Sequence, residues 1–324
     1  MSKFNPQTDI PSLTGKVAIV TGGNRGIGYH ITLELARHGA TVYLAARSES
    51  AAKDAIRQMD EELEAAARGR VKFLHLDLST IKGAKSSAEH FLTLEGQLDI
   101  LVHNAAVLGH NYGLNSEGIE DTMATNHLAP FAFTQVVLPL LEKTSKSADV
   151  RVVALSSYMY KKAPKGGKLL TVEEINDALG PPASINTLSS MQLRYSRSKL
   201  ANLLFTRHLQ EHFKSIGSTA LAISVNPGDV ATESVLDFVR PLPLIGGLAA
   251  WALKAYMFTP AQGAYTALFA ATSPTVRENV DTYGGSYLIP FGKVETFVGD
   301  GANDELVTQF WDASARIVDG VLSS

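Results

Sequence analysis

The sequence predicts an α/β protein whose parallel sheet is covered by helices on both faces. Three observations carry this. Short, continuously apolar runs alternate with amphipathic helical stretches, and strands buried on both faces read as unbroken apolar runs rather than an in–out alternation. A glycine cluster separates the first apolar run from the first helical stretch. The chain has 324 residues, 45% of them hydrophobic, enough to build a large core.

The elements follow in order. Val17–Val20 is the first strand, and a helix runs from about Gly26 to His38. Thr41–Ala45 is the second strand. Ser48 is placed to cap the next helix, with Glu49 in its first turn, and the Ala-, Glu-, Lys- and Arg-rich sequence carries that helix to Arg68. Val71–Leu76 is the third strand and Ile100–Val102 lies in a fourth. A long helix falls within Gly118–Lys143, bent or restarted at Pro130 and Pro139. Val150–Leu155 and Leu221–Val225 are the fifth and sixth strands. Two excursions, at about 158–192 and 228–259, interrupt the alternation, and long excursions in a compact domain often serve as lids or binding loops.

Composition excludes several classes of function. A net charge of −3 argues against nucleic acid as a partner. With no cysteine, disulfides, thiolate nucleophiles and Cys-based zinc sites are ruled out, and no metal site is expected. The polar, proline-broken opening MSKFNPQTDIPSL is not a signal peptide. No apolar run reaches the ~18 residues of a spanning helix; the closest, 242–258, holds Pro243, two glycines and Lys254. A cytoplasmic location is the expectation. Contact of 242–258 with a membrane surface is the lesser reading.

The cluster Gly22-Gly23-Asn24-Arg25-Gly26-Ile27-Gly28 sits between strand and helix. Glycines there let the backbone turn tightly and approach a pyrophosphate, and the helix N-terminus offers free N–H groups. The strand–turn–helix setting identifies a Rossmann-type dinucleotide site; a ligand-free glycine turn is the alternative. The second strand ends Ala45-Ala46-Arg47, with no acidic residue before Glu49. An acidic residue there would favour NAD, whereas Arg47 and Arg25 suit a 2′-phosphate, so NADP(H) is expected. Arg47 as a plain surface charge is the alternative.

Tyr195 and Lys199 are four residues apart, on one face of any helix. An ammonium beside a phenol favours the phenolate and prepares the tyrosine as a general acid or base. Tyr158 and Lys162 repeat the spacing, but they run into Ala-Pro-Lys-Gly-Gly, where a helix is doubtful. Tyr195 instead leads into the unbroken apolar stretch 200–205, which would hold the pair in register.

The ordered set formed by the glycine turn, Asp77, His103-Asn104-Ala105-Ala106, Asn126, Ser157, Tyr195 with Lys199, and Asn226-Pro227-Gly228 resembles the short-chain dehydrogenase/reductase family. The segment 195–206 and the long gap between Ser157 and Tyr195 are similar to its retinol-dehydrogenase-like and WW-domain-oxidoreductase-like members. The resemblance implies one dinucleotide-binding catalytic domain over 1–324, with a doubly wound sheet in the order 3-2-1-4-5-6-7. It implies a catalytic set of Asn126, Ser157, Tyr195 and Lys199. For the cofactor it implies Gly22, Asn24, Arg25, Gly26, Ile27, Gly28, Arg47, Asp77, Leu78, Asn104, Ala105, Tyr195, Lys199, Pro227, Gly228, Val230 and Thr232. Asn126 as a helix-kink residue, and Thr232 as an ordinary loop residue, are the alternatives. Ala106 replaces the family's glycine. Pairing through the helices of Asn126 and Tyr195 is frequent in the family, and monomer or homodimer stays open.

The expected activity is hydride exchange between NADP(H) and a hydrophobic ketone or aldehyde and its alcohol. Ser157, Tyr158, Met159 and Tyr195 are expected at the substrate. A cofactor-binding scaffold without turnover, or a redox-neutral isomerase or cyclase, are the alternatives.

Overall fold

The structure, a computed structural model, describes residues 4–231 and 257–324. After a short N-terminal helix α1 (Pro6–Asp9), strand and helix alternate as β1 (Val17–Thr21), α2 (Gly26–Arg37), β2 (Thr41–Ala46), α3 (Glu49–Glu62), β3 (Val71–His75), α4 (Ile81–Leu94) and β4 (Ile100–His103). Then come α5 (Asp121–Met123), α6 (Ala129–Ser145), β5 (Arg151–Leu155), α7 (Val172–Ile175), α8 (Leu188–Ser215) and β6 (Leu221–Val225). The C-terminal part holds α9 (Pro260–Thr272), α10 (Pro274–Glu278), α11 (Val280–Tyr283), β7 (Tyr287–Ile289), β8 (Lys293–Glu295) and α12 (Asp304–Ser323).

The strands lie in the order β3-β2-β1-β4-β5-β6-β7-β8, as expected through β7. Pairing is parallel throughout except for β8, which turns back antiparallel on β7. That edge strand was not foreseen. Alternation along β1 divides the core: Val17 and Ile19 enter one apolar cluster, Ala18 and Val20 the other. Both faces are thus covered, which is why the strands read as continuous apolar runs. The chain leaves β1 toward β2 and β3, then crosses back to place β4 on the other side of β1. Loops diverge at that switch point and open a crevice at the carboxyl ends of β1 and β4.

Several boundaries differ from the sequence reading for identifiable reasons. Ser48 does cap α3, accepting from Ala51 N at 3.3 Å. The helix stops at Glu62 rather than Arg68, because Leu63 turns extended and is buried. The 118–143 stretch is two helices joined by a π turn, Ala124–Leu128. Pro130 restarts the chain in the first turn of α6, where its missing N–H costs nothing, whereas Pro139 is accommodated inside α6. Helix α4 was missed; its signal was Thr80, whose hydroxyl accepts from Gly83 N at 3.1 Å. Helix α8 begins at Leu188, inside the supposed excursion.

The C-terminal helix α12 packs on α8 and also touches α4 and α6. Its Trp311 stacks on Phe205 and on His208 and meets Phe131 edge-on, with ring centroids 5.9, 4.4 and 4.9 Å apart. His127, in the π turn, bonds Ser314 at 3.0 Å.

Candidate active site

A cleft of about 780 Å³ opens at the crevice. One wall is the turn from β1 into α2. Gly22 sits at φ +65°, a conformation L side chains rarely adopt. At Gly28 a Cβ would lie 2.3 Å from Gly22 O and 2.4 Å from Asn104 Nδ2, so this glycine lets helix and turn close on each other. Gly28 therefore acts behind the cleft, whereas Gly22, Asn24, Arg25, Gly26 and Ile27 line it.

Asn104 fastens this turn. Its Nδ2 donates to Thr21 O at 2.8 Å, and the backbone N–H groups of Asn104 and Ala105 both donate to Thr21 Oγ1, at 3.0 and 2.9 Å. Asn104 and Ala105 line the cleft. Ala106 is exposed and does not adopt positive φ, so the alanine in the family's glycine position fits without strain.

At the far end Arg25 and Arg47 are exposed and line the same cleft, beside Ala45, Ala46, Asp77 and Leu78. The Asp77 carboxylate accepts from Ser79 N at 2.9 Å. No carboxylate stands at the end of β2.

At the opposite end, Ser157, Tyr195 and Lys199 converge on the cleft. The structure separates the two serines. Ser156 Oγ is buried and donates to Lys199 O at 2.7 Å. Ser157 Oγ accepts from Met159 N at 3.2 Å, and its own proton has no acceptor among the described residues. Tyr195 and Lys199 stand on α8, with Lys199 Nζ 5.3 Å from the Tyr195 ring centre. Lys199 Nζ donates to Leu155 O at 2.8 Å, an acceptor shared with Asn202 Nδ2 at 3.1 Å. The second pair falls on a single 3₁₀ stretch, Tyr158–Lys162, instead of an α-helix. Tyr158, 44% exposed, lines the cleft with Met159.

Asn126 is placed differently from the rest. It lies in the π turn and is buried behind the cleft wall. Its Oδ1 accepts from Val107 N at 2.7 Å, and its Nδ2 donates to Val107 O at 3.0 Å and Ser198 Oγ at 2.9 Å. The amide holds the loop after β4 in place.

The titration directions depart from the expected phenolate pairing. Burial, reinforced by Tyr158, pushes the Tyr195 phenol up. Burial pushes the Lys199 ammonium down to about 7. Desolvation is the leading cause for both groups.

Pro227, Gly228 and Val230 follow β6 and line the cleft. Asp229 and Ala231 bond across to Phe258 at 2.8 and 3.0 Å, anchoring this loop. Thr232, and 242–256 of the stretch assigned to membrane contact, lie outside the described residues. Sequence reasoning missed His110, Asp121, Thr125 and Gln192, which also line the cleft. His110 comes in on the β4–α5 loop, Asp121 at the start of α5, Thr125 on the π turn and Gln192 on α8, so only the packing of these elements brings them together.

The family pattern described as short chain dehydrogenase matches residues 16–168. The chain is 38% identical, over 97% of its length and 77% of the relative's, to the short chain dehydrogenase/reductase dpchH of Colletotrichum higginsianum. Among solved structures, it resembles an uncharacterized protein from Mycobacterium paratuberculosis with TM-score 0.70 and 26% identity, covering 98% of each chain. It also resembles a short chain dehydrogenase from Escherichia coli CFT073 complexed with NADPH, with TM-score 0.63 and 21% identity over 87% of this chain and 98% of that one. From the ordered motifs, the switch-point cleft and these likenesses, the chain belongs to the short-chain dehydrogenase/reductase family of oxidoreductases.

Proposed function

We propose that this protein is an NADP(H)-dependent oxidoreductase that interconverts a hydrophobic ketone or aldehyde and its alcohol, with Tyr195 as general acid/base. One observation carries the reading: Ser157, Tyr195 and Lys199 meet at one end of a cleft whose other end presents Arg25 and Arg47 and no carboxylate on β2. The glycine turn and the two arginines suit a pyrophosphate and a 2′-phosphate. The solved relative with NADPH supports the same choice.

When bound, the cofactor supplies or accepts the hydride. Ser157 Oγ donates to the reacting oxygen and stabilises its developing charge. Tyr195 passes its phenolic proton to that oxygen in reduction and takes one back in oxidation. Lys199, held by Leu155 O, favours the phenolate when it carries its proton, and its lowered pKa lets it pass that proton on near neutral pH. Met159, Met191 and Leu108 give the substrate end an apolar lining. Among the described residues no helix is long and apolar enough to cross a membrane.

The test is NADPH oxidation with a panel of ketones, aldehydes and quinones, comparing wild type with Tyr195→Phe. Loss of a general acid lowers turnover by ~10²–10⁴, with NADPH affinity retained. Tight NADPH binding without turnover on the whole panel would point to a scaffold. A product of unchanged mass would point to isomerisation or cyclisation.

A further inference from the structure

Arg194, immediately before Tyr195, and Arg197, between Tyr195 and Lys199, have no part in the mechanism above. Both are fully buried, and so is Glu120 between them. Arg194 Nε lies 3.6 Å from one Glu120 carboxylate oxygen, and an Arg197 terminal nitrogen 3.8 Å from the other. The same carboxylate caps α5, accepting from Thr122 N at 3.1 Å and Met123 N at 2.9 Å. Buried charges need partners; both Nε–H groups lack a hydrogen-bond acceptor among the described residues, and the terminal nitrogens find theirs on other segments. Arg194 donates to Ala178 O and Ile185 O, each at 2.8 Å, and to His110 O at 3.0 Å. Arg197 donates to Glu174 O at 2.6 Å and Ile175 O at 2.5 Å, at the end of α7.

A second set of bonds runs alongside. Asn176 Oδ1 accepts from Glu120 N at 2.9 Å, and its Nδ2 donates to Gly118 O at 2.7 Å. Asn186 Oδ1 accepts from Tyr112 N at 2.7 Å, and Tyr112 OH donates to Asn176 O at 2.8 Å. The β4–α5 loop, the segment 172–186 and α8 therefore share one polar junction, buried at Glu120, Arg194 and Arg197 and open toward its rim at Asn186. His110 on that loop and Met191 on α8 line the cleft.

We propose that the Glu120–Arg194–Arg197 cluster clamps the segment 172–186 and the loop 105–112 onto α8 as a preformed wall, and so fixes the shape of the substrate end of the cleft. These are positioning residues. The segment between Ser157 and Tyr195 is then part of the scaffold, in contrast to the lid its length suggests. Opening it would strip four backbone carbonyls, those of Glu174, Ile175, Ala178 and Ile185, from two buried guanidinium groups, an arrangement that point-charge lysines could not reproduce in the same geometry. The selection of substrate by this wall rests on the oxidoreductase reading above; the rigidity of the wall does not.

Two measurements on the full chain test it. Amide hydrogen exchange is followed over 105–112 and 172–186 in the wild type, alone and with NADPH. The wall predicts slow exchange in both states and its loss in Arg197→Met. Rapid exchange in the wild type, or protection that appears only with NADPH, overturns the proposal. The second measurement uses a panel carbonyl whose reduction is lost in Tyr195→Phe. Arg197→Met is expected to raise KM ~10-fold or more while kcat and NADPH affinity change by less than about 3-fold, with Arg197→Lys recovering part of the loss. A folded Arg197→Met with unchanged KM overturns the claim on substrate selection. Where Arg197→Met does not fold, Asn176→Ala, which cuts the links to Glu120 N and Gly118 O, is put through both measurements with the same outcomes. If no panel member gives Tyr195-dependent turnover, the oxidoreductase reading falls, and the exchange data still decide the wall.

Discussion

Lys199 is expected to destabilise the protein that depends on it. Its amine is nearly inaccessible and has one acceptor, Leu155 O. Burial lowers its pKa from 10.5 to about 7. Between those values an unfolded chain carries a proton that the folded chain has released. Where the unfolded state binds more protons, stability rises with pH, so this site favours folding progressively from about pH 7 to about 10.5. At or below pH 7 the full penalty applies. At ~1.4 kcal/mol per pH unit that penalty is about 5 kcal/mol. Lys199→Met removes it and forfeits a hydrogen bond worth ~1 kcal/mol. Leu155 O keeps Asn202 Nδ2 as a donor, so no buried carbonyl is orphaned. The net gain is about 4 kcal/mol. With an unfolding entropy of ~2.1 cal/mol/K per residue, this raises Tm by about 6 °C for a chain of 324 residues. The assay is thermal unfolding of wild type and Lys199→Met without cofactor, from about pH 6 to about pH 10. The variant should melt higher at neutral pH, and the gap should close toward the alkaline end, while turnover is lost. A variant that melts at or below the wild type at neutral pH, or a gap independent of pH, would refute the reasoning.

Other expectations are simpler to check. Gly28→Ala drives a methyl into Gly22 O and Asn104 Nδ2; it should cost roughly 1–3 kcal/mol in thermal unfolding and weaken NADPH in a fluorescence titration. Retained affinity with an unchanged melt would show that α2 has room to retreat. Arg47→Ala removes a charge-assisted contact of ~1.5–3 kcal/mol to a 2′-phosphate, so NADPH should weaken ~10-fold or more while NADH barely changes; equal losses for the two cofactors sink the assignment. The protein should sediment as a monomer. Helix α12 covers Phe131 and Phe205, and Leu188 is the one exposed large apolar residue on α6 or α8; a dimer at micromolar concentration contradicts this.

The sequence by itself determined the features that depend on local geometry. Gly22 and Gly28 had to be glycines because a strand must turn sharply into a helix. Tyr195 and Lys199 share a face because they are one helical turn apart, and the Gly-Pro-free stretch after them distinguishes them from Tyr158 and Lys162. The order of apolar runs was enough to give the parallel sheet as far as β6, and the family likeness supplied its strand order. Tertiary structure decided what rests on groups far apart in the chain. It turned Ser156 inward to Lys199 O and left Ser157 at the cleft. It committed Asn126 to Val107 and Ser198, and Asn104 to Thr21. It paired Glu120 with Arg194 and Arg197, residues that carry no motif. The antiparallel β8 likewise had no local signature, whereas α12 is announced by Asn303 as its cap and Asp304 and Glu305 in its first turn, and only the packing shows what it covers. The titration of Tyr195 and Lys199 was beyond the sequence for the same physical reason. Spacing fixes which charges are neighbours, but desolvation depends on everything packed around them, and here burial is the leading cause of both shifts.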